Sequence, residues 1–122
     1  EKNPDDVRSL NALGYTLADK TERYEDADRY LQKALQLQPD EPVVIDSFGW
    51  LLYKKGMADR ALPFLKRAYE KQPETEIAAH MIEVLLALGE KKQARELFEQ
   101  INKKAPQDEF VGKIRSIFQG GL

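Results

Sequence analysis

The 122-residue chain contains no cysteine, which excludes disulfide bonds and thiolate metal sites. It has one histidine and no glycine-rich phosphate loop, so it offers little material for catalysis or for a nucleotide cofactor. No apolar run approaches the roughly 20 residues that a membrane span needs. Neither sign of charge dominates, because 19 Lys and Arg face 21 Asp and Glu. This balance argues against nucleic acid and acidic membrane surfaces as partners.

What the chain does contain is an internal repeat of 33 to 35 residues. It is carried by alanines and prolines that keep one register, namely Ala27, Ala61, Ala94, Pro39, Pro73 and Pro106. Successive members of each set are 33 or 34 positions apart. A period of this length predicts stacked supersecondary units rather than one globule built from distant pieces.

Each unit reads as a pair of helices. Apolar residues recur at three- and four-residue steps and nowhere alternate with period two, which predicts seven helices, the first over about 5–18. Gly56 and Gly89 are expected to turn the chain between paired helices in the left-handed conformation. The three prolines should follow the even-numbered helices, and Asp40, Thr75 and Asp108 should cap the helices that come next.

Two glycines lie inside predicted helices, where glycine costs about 1 kcal/mol relative to alanine. Gly14 and Gly49 therefore predict a close approach of the partner helix, with Ala27 and Ala61 as the facing small residues. Ile82 occupies the same position in the third unit, so a wider crossing is expected there. Pro63 falls near the start of the fourth helix, where we expect a slight bend and no break.

These residues resemble the tetratricopeptide repeat (TPR), a 34-residue helical hairpin. The middle unit carries the motif in the residues Ile45, Phe48, Gly49, Leu52, Ala61, Leu65, Ala68 and Pro73. The resemblance implies an all-α, right-handed superhelical solenoid of three hairpins with a C-terminal capping helix. We expect one domain over 1–122, with repeats at about 5–39, 40–73 and 74–106 and the cap at about 108–119.

The two ends carry further expectations. Asn3-Pro4-Asp5 looks like the tail of an earlier unit, which predicts more repeats upstream, and residues 120–122 are expected to be disordered. The chain is similar in style to the C-terminal repeats of long bacterial proteins of this family. That similarity implies a periplasmic or envelope location, with the cytoplasm as the alternative.

The resemblance implies a non-enzymatic module that binds a protein or peptide in a concave groove. The family's groove positions fall on Arg8, Asn11, Tyr15, Asp46, Trp50, Tyr53, His80 and Glu83. Large amphipathic rings on a groove are typical of binding hot spots, but Trp50 and Tyr53 also fit a role as packing between units. Some members grip a free carboxylate with basic residues at fixed groove positions. Two of these basic residues are missing here and Glu76 stands in for one, which favours a neutral or basic segment.

Two other functions remain open. The chain is also suited to be the capping end of a longer array or a self-association surface, as a monomer or weak homo-oligomer. An enzyme or metal site around His80, with Glu76 and Glu83 on one helix face, is the weaker reading, because three ligands on one helix do not close a site. We therefore predict no catalytic residues, no metal and no cofactor.

Overall fold

The computed structural model of the protein describes residues 6–120 and forms seven helices and no strand over that range. Their bounds are α1 Val7–Lys20, α2 Tyr24–Leu37, α3 Pro42–Lys54, α4 Ala58–Lys71, α5 Thr75–Ala87, α6 Lys91–Lys104 and α7 Glu109–Gln119. The all-α prediction is confirmed, although α1 begins and ends about two residues later than expected. The expectations for Asn3-Pro4-Asp5 and for residues 121 and 122 lie outside the described residues.

The odd-numbered helices form a continuous inner layer. Each contacts the next one along the chain, α1 with α3, α3 with α5, and α5 with α7. Each even helix packs on the odd helices before and after it, whereas α2, α4 and α6 make no close contact with one another within residues 6–120. The odd helices contact one another and the even helices stand apart from one another. The odd layer therefore lies on the concave side of a helical repeat solenoid.

The turns within the pairs are as predicted. Gly56 and Gly89 have φ angles of 87° and 81°, in the region that favours glycine. Each turn is closed by a backbone hydrogen bond across it, from Met57 N to Leu52 O and from Glu90 N to Leu85 O, at 2.9 and 2.8 Å. These bonds satisfy carbonyl groups that a helix end otherwise leaves unpaired.

The predicted helix caps are right at one site and wrong at two. Asp108 caps α7, since its Oδ1 accepts from the amides of Phe110 and Val111. Asp40 instead accepts a 2.6 Å bond from Arg67, and the N-cap position of α3 belongs to Glu41, whose side chain makes no capping hydrogen bond. Thr75 lies inside α5, and its hydroxyl donates to Asp108. A cap that the sequence reading missed is Asp6, which accepts from Arg8 N at the start of α1.

Close packing at the two helix glycines is confirmed, with different neighbours. A Cβ on Gly14 would lie 2.5 Å from Leu31 Cγ, and one on Gly49 would lie 2.9 Å from Leu65 Cδ2. The side chains of these leucines are the nearest neighbours. Ala27 also faces Gly14, through its carbonyl oxygen at 3.3 Å, whereas the three atoms nearest to the Gly49 position belong to Leu65 and Phe64. The α5–α6 pair, with Ile82 at this position, packs less closely along its backbones. Helix α4 continues through Pro63, as predicted.

Helix α7 packs against the third helix pair. Val111 and Ile114 are buried among residues of α5 and α6, while Ser116 and Gln119 stay exposed. Arg115 occupies a position where a repeat has a small residue. It reaches back to bond Asn102 Oδ1 at 2.6 Å and the Pro106 carbonyl at 2.9 Å. This anchors α7 to the preceding helix and its following turn.

Candidate functional site

The centre of the concave face holds a hydrogen-bond network around the one histidine. His80 is 5% exposed, with Nδ1 2.9 Å from Asp46 Oδ1 and Nε2 3.2 Å from the Tyr15 hydroxyl. A carboxylate only accepts, so Nδ1–H donates to Asp46 and Nε2 accepts from Tyr15 when the ring is neutral. The network joins α1, α3 and α5, one inner helix from each pair.

Trp50 packs inside this centre. It is 5% exposed, its Nε1–H donates to Asp19 Oδ1 at 3.0 Å, and its ring stacks on His80 at 4.2 Å between centroids. Of the two roles left open for Trp50, the structure favours packing between units. Tyr53 lies against the Trp50 ring at 5.0 Å and keeps part of its own surface exposed. Tyr53 is therefore the more accessible of the two rings.

Two carboxylates on this face are partly buried, which disfavours their charged form. Burial raises the pKa of Glu83 above its ordinary value, and the nearby His80, Lys113 and Lys54 oppose that rise only in part. Burial also raises the pKa of Glu76. The pKa of Tyr15 is raised by burial and by nearby carboxylates, first among them Asp19. Perturbed groups of this kind cluster at functional sites more often than elsewhere.

Little space remains at the centre itself. A cavity of about 40 Å³ lies between α1, α3, α5 and α7, with Tyr15, Trp50 and Glu83 in its wall. That volume is sufficient for a water molecule. Helix α7 adds Phe110 and Lys113 to the wall, two residues that the sequence reading missed because it placed the groove on the three repeats alone.

A larger cleft opens between the first turns of α1 and α3, and we call it the α1–α3 cleft. It has a volume of about 590 Å³ and is lined by Asp6, Val7, Arg8, Asn11, Gln38, Glu41, Val43 and Val44. Val43 is 40% exposed. Asn11 Oδ1 is shielded from water and has no hydrogen-bond partner. Leaving such an acceptor unpaired costs about 1–3 kcal/mol.

The eight predicted groove residues thus separate into two groups. Tyr15, Asp46, Trp50, Tyr53, His80 and Glu83 gather at the centre, whereas Arg8 and Asn11 line the α1–α3 cleft. Within residues 6–120 no group of three or more His, Asp or Glu side chains is arranged to hold a metal ion. Over the same residues, no helix combines the length and apolar character needed to cross a bilayer.

Known families and proteins match the chain along most of its length. Two family models, both described as tetratricopeptide repeat, match residues 52–114 and 7–41. A TPR repeat-containing protein, PA4667 of Pseudomonas aeruginosa, is 45% identical over 80 residues. That stretch is 66% of this chain but only 14% of the relative, so the chain spans a small part of the relative's length.

Solved structures of low sequence identity share the fold. The thermophilic TPR protein TTC0263 of Thermus thermophilus has a TM-score of 0.80 at 22% identity, over 98% of this chain and 66% of that one. The first TPR domain of human RPAP3 has a TM-score of 0.78 at 17% identity, over 96% of this chain and 93% of that one. At such identities the likeness establishes the architecture alone.

Proposed function

The chain belongs to the tetratricopeptide-repeat family, and from this premise we propose that it is a non-enzymatic module that holds a segment of a partner protein against its concave face. Proteins of this family and fold generally act by binding other proteins rather than by catalysis. The module comprises repeats at about 5–39, 40–73 and 74–106 and the capping helix at about 108–119, as one domain. A periplasmic or envelope location stays a prediction from the family resemblance.

The observation that carries this proposal is the combination of partly exposed rings and desolvated carboxylates on the concave face. Tyr53 and Phe110 offer apolar surface, and Glu83 beside them has a raised pKa because burial disfavours its charge. A Lys or Arg side chain of a partner would relieve that cost by pairing with the carboxylate. The partner segment is therefore neutral or basic.

The predicted groove residues take different roles in this proposal. Tyr53 and Glu83 contact the partner at the centre, and Arg8 and Asn11 contact it at the α1–α3 cleft. The buried Asp46, Trp50 and His80, with Tyr15, hold the shape of the surface from beneath. Truncating Trp50 to alanine would disturb that support, so partly exposed side chains are the better targets for a binding test.

A selection of random phage-displayed peptides against the chain tests the proposal. We expect enriched peptides to contain Lys or Arg, and we expect Glu83→Gln to weaken their binding at least ~5-fold, the loss of about one charge-assisted hydrogen bond. Glu99→Gln on the outer helix α6 is the matched control and should bind as the unmodified chain does. Enrichment of acidic peptides, or equal binding by Glu83→Gln, would contradict the proposal.

The same variant separates binding from folding. The folded state binds a proton at Glu83 more tightly than the unfolded chain does, since the pKa is raised above 4.5. Stability therefore falls as pH rises from about 4.5 through the folded pKa. Glu83→Gln removes this penalty and should unfold at a higher temperature than the unmodified chain at pH 7. Weaker binding by a more stable variant would not be explained by misfolding.

A second function is favoured by α7, which packs on the third helix pair with buried Val111 and Ile114 and an exposed polar side. In this role the chain is the capping end of a longer array, with self-association through the cap as a variant of it. Sedimentation at several protein concentrations distinguishes self-association from the other two roles. A groove-binding module or a cap stays monomeric, whereas self-association raises the mean mass with concentration.

A further inference from the structure

A further open space lies between the outer helices α4 and α6, and we call it the α4–α6 groove. It has a volume of about 400 Å³ and is lined by Tyr69 of α4 and by Gln100, Ile101, Lys103 and Lys104 of α6. Ile101 is buried and Tyr69 is half-buried, so these two give the groove an apolar floor, while the other three side chains are exposed. The volume falls within the range of roughly 300–1,000 Å³ in which proteins bind ligands.

The polar side chains of the groove can all donate hydrogen bonds. Tyr69 offers a hydroxyl, Gln100 an amide, and Lys103 and Lys104 their ammonium groups. Among residues 6–120, no hydrogen bond or ion pair joins any of these four side chains to another residue. The described lining carries two positive charges and no carboxylate. A ligand that brings carboxylates would therefore find free donors and a complementary charge.

This positive character is not imposed by the repeat. The residues 33 positions before Gln100 and Lys103, at the junction of α2 with α4, are Arg67 and Glu70. Arg67 is already paired with Asp40 at 2.6 Å, and the charge of Glu70 would repel an acidic ligand. Only the later junction thus combines unpaired cations with an apolar floor.

We infer that the α4–α6 groove binds an acidic segment of a partner protein, whose carboxylates pair with Lys103 and Lys104 while a neighbouring aliphatic side chain covers the Tyr69 ring. A free inorganic anion would leave that ring uncovered. The groove lies between outer helices, so this inference goes beyond the proposed function and does not rest on it. Exposed ion pairs are weak, so we expect dissociation constants of roughly a millimolar, which a titration detects and a display selection does not.

The test is a nuclear magnetic resonance titration of the full chain with the blocked pentapeptide Ala-Leu-Glu-Glu-Ala, acetylated and amidated at its ends. We expect shifts of the Tyr69 ring and of the Gln100 side-chain amide. Ala-Leu-Gln-Gln-Ala lacks the charges and Ala-Ala-Glu-Glu-Ala lacks the aliphatic side chain, so each should bind at least ~3-fold more weakly. Equal binding of the charged and uncharged peptides would overturn the inference.

Two double variants test which lysines bind the carboxylates. Lys103→Gln with Lys104→Gln should weaken binding of the acidic peptide ~5-fold, the loss of two exposed ion pairs. Lys91→Gln with Lys92→Gln makes the same change of net charge about 18 Å away along α6, beyond the Debye length of about 10 Å at 0.1 M salt, and should bind as the unmodified chain does. An equal loss in both variants would show attraction to the overall charge and overturn the inference.

Other occupants give different results, and each would overturn the inference. Inorganic phosphate that shifts the Gln100 amide as strongly as the peptide does would show a site for small anions. Shifts of the Tyr69 ring on dilution without peptide would show that a second copy fills the groove. Shifts at Tyr53 and Glu83 alone would place the acidic peptide on the concave face and would contradict the proposed function as well. No shift at tens of millimolar peptide would leave that function untouched and remove this inference alone.

Discussion

The neighbouring helix α2 leaves no room for a side chain at position 14, so this position requires glycine. The Cβ position is 2.5 Å from Leu31 Cγ and 3.3 Å from the Ala27 carbonyl oxygen, and Leu31 is fully buried. Because the interior around Leu31 is closely packed, its side chain cannot move away from an added Cβ. The glycine therefore sets how closely α1 and α2 approach, at the cost of a weaker intrinsic helix preference.

Gly14→Ala should destabilise the protein by about 1–2 kcal/mol. The clash with Leu31 costs about 1–3 kcal/mol, and the better helix propensity of alanine returns up to about 1 kcal/mol. Gly112→Ala in α7 is the control, because its Cβ meets nothing within 4 Å, and it should stabilise by about 0.5–1 kcal/mol. Urea unfolding measures both, and equal effects of the two substitutions would contradict the packing argument.

Among the elements, α7 depends on a cap that also ties it to α5. Asp108 accepts from the amides of Phe110 and Val111 through one oxygen and from the Thr75 hydroxyl through the other. Burial alone would raise the pKa of Asp108, but these three hydrogen bonds lower it below its ordinary value. One carboxylate thus joins the starts of two neighbouring inner helices.

Asp108→Ala should cost about 1–2 kcal/mol at pH 7, the usual loss for a helix cap. Because the folded pKa is lowered, this stability is present above the ordinary pKa of 3.8 and is lost as pH falls through the lower folded value. Thermal unfolding between pH 7 and pH 2 should therefore show the difference from the unmodified chain shrinking in acid. Asp40→Ala, which removes an exposed ion pair and no cap, should cost under about 1 kcal/mol.

The elements show what the sequence could and could not reveal. Gly56, Gly89 and the prolines were predictable because the conformations they favour are local properties of the backbone. Asp40 was misjudged as a cap because α3 begins at Pro42, one residue later than the cap would require, so that Glu41 occupies the N-cap position. The burial of Trp50 was not predictable, since it depends on Asp19 of α1 and His80 of α5, far apart in the chain.

Across the whole molecule, the Tyr15–His80–Asp46 network connects all three helix pairs. Its members are separated by 65 and 34 residues along the sequence, and each belongs to a different inner helix. Bonds that share one imidazole ring do not contribute independently. Removing either hydrogen bond to His80 should therefore weaken the other and with it the packing of the three helix pairs on one another.

A double-mutant cycle with Tyr15→Phe and Asp46→Ala measures this coupling. Each change leaves one nitrogen of His80 unpaired, and the interaction energy between the two should be at least about 0.5 kcal/mol. Tyr15→Phe combined with Asp40→Ala, which share no partner, should be additive within about 0.5 kcal/mol. Additivity in the first cycle would show that the two bonds act separately.

The spreading of the outer helices has a mechanical consequence. With α2, α4 and α6 out of contact with one another, a force that pulls the ends of the rod apart meets resistance at the inner layer and at the junctions between pairs. Those junctions should yield one after another, so that a single molecule stretched between beads would lengthen in steps of one hairpin.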